Sequence, residues 1–425
     1  MITVAEQTVM NRIDGMAEEM TEFAATLIRV PTVNPPGEAY EPCARKIGDR
    51  LRRLGMEVAY PTADTHPSHT TACPRVNVVG RLEGARSMPT LHFNGHTDVV
   101  PAGEGWTLDP FAGIVKDGRL YGRGACDMKG GIAAAVFALT AIRAADIRLG
   151  GSVELSGTVD EESGGFAGMA YLAEKGWIAP QRTTHVIIPE PLDVDRICLG
   201  HRGVYWGRID TLGRVAHGSM PFYGKSAIDM MGKVMHRIET HLRPGLDQKT
   251  TTMPVVPAEA RRATLNINGL AGGQVGPDVG TPCVADRCHL VFDRRFLREE
   301  SFEQVRAEFE EVLKSLEIED PVFQATLTDL MIVHPVETPK DAEVVSVTAR
   351  TLHEVLGREP RFVASPGTYD HKHVYNIGRV RQCIAYGPGI LDLAHQPDEY
   401  CEIEHMVQSC KVMALTAMRL LGTVS

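Results

Sequence analysis

The sequence has no pair of cysteines two residues apart, no run of lysine and arginine interleaved with aromatics, and no signal-like apolar start. Each absence removes a class of protein. Nine scattered cysteines, an odd number in a long chain, read as reduced thiols rather than a disulfide framework or a zinc knuckle. The 54 acidic residues outnumber 44 basic ones, a net charge of −10, so nucleic acid is not expected as a partner; the acidic excess reads first as a solvated surface. Met1 to Gly15 carries Glu6, Arg12 and Asp14 where a signal peptide needs an apolar run, and no window elsewhere reads as apolar over about eighteen residues. A cytoplasmic protein without a membrane anchor is the expectation. The glycines at Gly122-Arg-Gly124 and Gly130-Gly131 lack the Gly-Lys-Ser/Thr of a phosphate loop, and Ser219 beside His217 lacks the Gly-x-Ser-x-Gly elbow of a serine nucleophile. There is no internal repeat, and the three tryptophans read as packing residues.

What is present is an ordinary globular balance, 43% apolar and 23% charged, in a chain of 425 residues that exceeds one compact core. Helical spacing runs over 4–28 and 41–54. Beyond it, short apolar runs (76–79, 90–93, 152–159, 185–188) alternate with helical stretches near 131–145 and 165–175, which predicts a mostly parallel sheet covered on both faces. After Gly200 the order becomes strand 204–211, helix 226–242, strands 263–268 and 289–292, helix 301–316 and strand 323–331, the succession of a ferredoxin-like unit. Alternation then resumes, with a helix at 342–356, a strand at 382–385 and a last helix at 404–421. The fold class is therefore α/β, a mostly parallel-sheet domain (1–203 and 334–425) with an inserted ferredoxin-like α+β domain (204–333).

Acidic and imidazole side chains collect just past the apolar runs of the larger domain: His96 and Asp98, then Asp160, Glu161 and Glu162, then Glu190, and later His395. Asp127 stands at the head of a helix. Sites in open parallel sheets lie outside the carboxyl ends of the strands, so independent segments deliver these groups to one edge. Taken singly, an acid after a strand is usually a solvated cap or turn. Together, imidazoles and carboxylates without cysteine suit zinc, manganese or cobalt, and a shared carboxylate could hold two such ions ~4 Å apart. In His-x-Asp both side chains share one face of an extended segment, so Asp98 could orient an imidazole. The consecutive Glu161 and Glu162, in extended backbone, would point to opposite sides, leaving one to ligate and one free as a base.

Six ordered segments carry a family resemblance: His92-Phe-Asn-Gly-His-Thr-Asp-Val-Val-Pro101, Tyr121-Gly-Arg-Gly-Ala-Cys-Asp-Met-Lys-Gly-Gly131, Val159-Asp-Glu-Glu-Ser-Gly-Gly165, Pro189-Glu-Pro191, Val215-Ala-His-Gly-Ser-Met-Pro221 and Leu393-Ala-His-Gln-Pro-Asp-Glu-Tyr400. They resemble the signature segments of the M20 metallopeptidase and deacylase family over nearly the whole chain. The resemblance implies two divalent metal ions, zinc first with manganese or cobalt as alternatives. It implies that Asp127 bridges them, with His96 and Glu190 completing one site and Glu162 and His395 the other. It gives Glu161 the part of general base and Asp98 the support of His96. His217 would bind an oxyanion from across a homodimer formed by the inserted domain, and Arg295 would bind a substrate carboxylate.

Where the family has Gly-Gly-Thr-Asp-x-Arg, this chain has Pro366-Gly-Thr-Tyr-Asp-His-Lys-His373, which makes Lys372, His371 and His373 candidate substrate contacts and Lys372 a point charge where an Arg fork is usual. The expected reaction is hydrolysis of a C–N amide bond in a small carboxylate-bearing substrate, such as an N-acyl amino acid or dipeptide. Two alternatives stand beside it: hydrolytic deamination of an aromatic amine such as a nitroanthranilate, implied only by the likeness of the 369–373 segment and of the whole chain to an aromatic-amine hydrolase of the same family, and a non-catalytic metal- or ligand-binding dimer.

Overall fold

The computed structural model describes residues 1–273 and 282–424. They form two compact units: Met1–Gly200 with Thr338–Val363 and Tyr369–Ser425, and His201–Glu337 with Ala364–Thr368.

The first unit is built on a nine-stranded mixed sheet. At its centre Ser152–Thr158, Thr90–His96, His185–Pro191 and Cys383–Gly387 run parallel, as the alternation of strands and helices predicts. Val78–Leu82 and Glu57–Ala59 on one side and Arg196–His201 on the other are antiparallel to their neighbours, so the sheet is mixed rather than mostly parallel throughout. The central strands are buried along their whole length. Leu91 and Phe93 join the apolar core, whereas His92, Asn94 and His96 share the opposite face with Glu154, Ser156 and Thr158 of the paired strand, in register. A row of polar side chains thus runs along the sheet to the carboxyl end where the candidate site sits.

Helix Gly130–Ala144 packs on Ile403–Leu421, Val4–Asp14 and Ala17–Ile28. The stretch Ala125–Ala144 corrects one expectation, because it is long and apolar enough to cross a membrane by composition; 89% of its most apolar window is buried inside the unit, which makes it a core helix. The helical run expected over 4–28 is two helices, Val4–Asp14 and Ala17–Ile28, the first closed at its start by a Thr3–Glu6 capping box. The region 165–175 holds only the short helix Tyr171–Glu174 after a wider turn at Phe166–Ala170. Strands Arg196–His201 and Arg361–Ser365 and the helix His371–Asn376 were not anticipated.

The second unit has the expected element order, with antiparallel strands arranged Thr264–Gly272, Arg287–Phe296, Gly203–Leu212, Ala325–Val333. Helices Ala227–Arg237 and Phe302–Glu319 supply the other half of its core, where Phe292 stacks on Phe309 at 4.0 Å and Tyr205 meets both edge-on.

Candidate metal centre

The strand Thr90–His96 ends on His96, buried to 2% exposure. Its Nδ1 lies 3.0 Å from the Asp98 carbonyl oxygen, which fixes the proton there and turns the Nε2 lone pair outward. His96 Nε2 stands 2.9 Å from Asp127 Oδ1, while the other Asp127 oxygen stands 3.4 Å from His395 Nε2. His395 Nε2 is also 3.0 Å from Glu162 Oε1. Donors that share one tetrahedral ion at bond lengths of about 2.0–2.1 Å sit roughly 3.3 Å apart. These contacts have that spacing, and ligand atoms of His96, Asp127 and Glu162 all lie within 4.8 Å of one another. One carboxylate with an imidazole at each oxygen is the donor set of a bridging ligand.

Asp98 has a second task. Its Oδ1 accepts the Glu161 N–H and its Oδ2 the Glu162 N–H, both at 3.1 Å, with the Asn34 amide on Oδ2 at 3.0 Å. The pair of glutamates therefore occupies a tight turn, Glu161–Ser163, rather than the extended backbone expected for it. They diverge all the same: Glu162 faces His395, and Glu161 Oε1 lies 3.4 Å from the buried Lys372 Nζ.

The charges are crowded. Burial alone would raise Asp127, but the His395 and His96 imidazoles hold it below the usual carboxylate range. Burial pushes Glu161 up to about 8 against the pull of Lys372, and raises Glu190 well above its ordinary value with Asp127 adding to the effect. Glu162 and Asp370 rise for the same first reason. Burial works against a charge on His96, yet Asp127 and Asp98 raise it well above its ordinary value; Asp127 and Glu162 lift His395 to about 10. Six carboxylates, Asp98, Asp127, Glu161, Glu162, Glu190 and Asp370, about two imidazoles and Lys372 call for positive charge, as protons or as dications, and dications suit this donor set without protonating the carboxylates.

The remaining expected site residues have other surroundings. His371 is fully buried near Thr338 and Tyr369, and His373 Nε2 meets the Gly164 carbonyl at 2.7 Å; burial lowers both imidazoles to about 3. In the second unit, Arg295 already commits Nε and one terminal nitrogen to Asp293, at 2.7 and 2.8 Å. His217 is exposed. Its Nδ1 accepts the Ser219 N–H at 3.1 Å, which leaves Nε2 as an outward donor in the neutral ring.

Three groups escaped the sequence reading. Glu399 is buried behind the Asp127 loop, Asp370 holds Asn94 at 2.8 Å, and Arg202 donates to the carbonyls of Pro366 and Arg262. Among the described residues no carboxylate lies within ion-pair distance of Arg202, and burial with neighbouring Arg295 lowers it to about 10. An acid in a polar loop stretch, such as Asp370 after Tyr369 or Glu399 after Asp398, and an Arg before glycine carry no local signal of such burial.

The sequence pattern of peptidase family M20/M25/M40 matches residues 92–419. The chain is similar to N-formyl-4-amino-5-aminomethyl-2-methylpyrimidine deformylase of Bacillus subtilis (strain 168), 30% identical over 443 residues that cover 96% of this chain and 95% of that protein. It is similar to acetylornithine deacetylase of Myxococcus xanthus, 31% identical over 353 residues covering 82% and 85%. Human carnosine dipeptidase 1 shares the fold, with a TM-score of 0.76 at 18% identity over 99% of this chain and all of that one.

Proposed function

We propose, since this chain belongs to peptidase family M20/M25/M40 and is a metal-dependent amide hydrolase, that it cleaves the amide of a small N-acylated amine or amino acid at a dinuclear centre bridged by Asp127. The observation that carries the reading is Asp127 itself, one oxygen facing His96 and the other His395. His96 and Glu190 would hold one ion, Glu162 and His395 the other. Two divalent ions, zinc first with manganese or cobalt as alternatives, would polarise the scissile carbonyl and acidify the attacking water.

Within that frame Glu161 takes a proton from water on its carboxylate and returns it to the departing nitrogen. Its burial and the facing Lys372 keep the carboxylate dry and aimed. Asp98 orients both His96 and the Glu161–Glu162 turn. His217 Nε2–H donates to the carbonyl oxygen as negative charge develops there, a contribution of roughly 3–4 kcal/mol for one such donor. In this reading the inserted domain, 204–333, pairs two copies and His217 serves the partner's centre. The exposed Met220, Phe222 and Tyr223 beside His217 support it, because so apolar a loop favours cover.

The carboxylate of an acyl amino acid would be held by Arg295, with Arg202 as a second, buried cation that makes no direct ion pair among the described residues and feels Asp293 only at a distance. The deformylase and the deacetylase named above suggest formyl or acetyl as the acyl group. Deamination of an aromatic amine draws no support from 371–373, since His371 and His373 are packed inside the protein. Elemental analysis tests the centre: wild type should carry up to two ions per chain and Asp127→Asn neither at wild-type affinity. Unchanged content in Asp127→Asn overturns the reading.

A further inference from the structure

Behind the loop that carries Asp127 lies a carboxylate that the reaction does not use. Glu399 is 1% exposed and Arg123 is 2% exposed. Glu399 Oε1 accepts three backbone N–H groups, from Gly124 at 3.0 Å, Cys126 at 2.9 Å and Asp127 at 3.1 Å. Its Oε2 takes the Arg123 guanidinium at 2.6 Å. Gly124 makes the convergence possible: its φ of +87° turns successive amides towards one point, and a side chain there would run into Val99. Arg123 is itself held by the carbonyls of Ala102 and Gln396.

We propose that Glu399 is the positioning residue for Asp127, an anion around which the 124–127 loop is wrapped before any metal arrives. The segment that supplies it also supplies His395, four positions earlier, so the clamp ties together two of the chain segments that converge on the centre. A buried ion pair is weak evidence of stability, because desolvation offsets much of the attraction. A carboxylate whose bonds go to one ligand loop and to a single arginine has a geometric task instead. Glu399→Gln places a donor amide against either Arg123 or the three N–H groups, so the loop loosens while the volume stays the same.

The test is titration of metal-free wild type and Glu399→Gln with Zn²⁺ against a chromophoric chelator, with melting curves on the same samples. Glu399→Gln should bind zinc about 10–100-fold more weakly, the usual effect of losing a group that orients a ligand, and excess zinc should restore occupancy and most turnover. Wild-type zinc affinity in folded Glu399→Gln overturns the proposal. Should that variant not fold, hydrogen exchange on wild type decides: the amides of Gly124, Cys126 and Asp127 should be protected in the metal-free protein. Protection gained only on adding Zn²⁺ means that the ion organises the loop, and the proposal fails. The inference rests on Asp127 being a ligand. If Asp127→Asn loses zinc while Glu399→Gln keeps it, only this inference is wrong; if Asp127→Asn keeps zinc, the proposed centre is wrong as well.

Discussion

Lys372 and Glu161 face one another inside the first unit, Nζ 3.4 Å from Oε1, with the lysine 3% and the glutamate 10% exposed. Their segments are far apart in the chain, and only the fold joins them. A cation against the proposed base aims it and opposes the rise that burial imposes on its carboxyl, so the Arg-to-Lys departure bears on the base as well as on substrate. Lys372→Met should lower kcat by roughly 10–100-fold with a smaller change in KM, since general acid–base steps contribute ~10²–10⁴ in all. A variant with wild-type kcat and a raised KM returns Lys372 to substrate binding.

Glu161 and Glu162 are neighbours with separate duties in this account. Glu161→Gln should keep its metal and lose turnover by about 10²–10⁴-fold, while Glu162→Gln should lose metal. Elemental analysis and steady-state kinetics on the two variants check it. Metal loss from Glu161→Gln removes its assignment as a base.

The candidate centre is legible in sequence because parallel strands end in its proposed ligands: His96, Glu162 and Glu190 all follow buried apolar runs, and those runs are visible in sequence. Glu399 is not, because a glutamate in Gln-Pro-Asp-Glu-Tyr reads as a solvated turn until the Asp127 loop folds over it. His371 and His373 misled for the complementary reason, since histidine near a motif suggests chemistry and burial is invisible in one dimension. The Glu161–Glu162 turn departs from extended geometry because Asp98, more than sixty residues earlier, accepts both of its amides. The ferredoxin-like unit was read from element order alone, because each of its six elements has its own period.

Glu154 gives a pH dependence of stability. Burial alone would raise its carboxyl, but His92 and the guanidinium groups of Arg81 and Arg182 hold it at about 2. A depressed folded value means stability that is complete above the unfolded pKa, near 4.3, and lost as pH falls through about 2. The contribution at neutral pH is roughly 3 kcal/mol. Urea midpoints of wild type and Glu154→Gln should lie well apart at pH 6 and converge between about pH 4.5 and 2. Curves that stay parallel through that window contradict the linkage.

The proposed role of His217 in trans predicts complementation. His217→Ala and Glu161→Gln protomers, each inactive, should recover roughly a quarter of wild-type activity after subunit exchange, because one site of each heterodimer keeps both residues. Exchange verified by mass without return of activity places His217 in its own chain or outside the reaction.

The products show directly whether the metal centre hydrolyses an amide. Metal-loaded wild type is incubated with N-formyl, N-acetyl and N-succinyl amino acids, an N-formyl aminopyrimidine and an aminobenzoate, following free amine and ammonia before chelation, after it and after adding back zinc, manganese or cobalt. Metal-dependent amide hydrolysis predicts amine release from at least one acyl compound, loss on chelation and return with metal. Turnover that survives complete metal removal, or ammonia released from the aromatic amine alone, contradicts it.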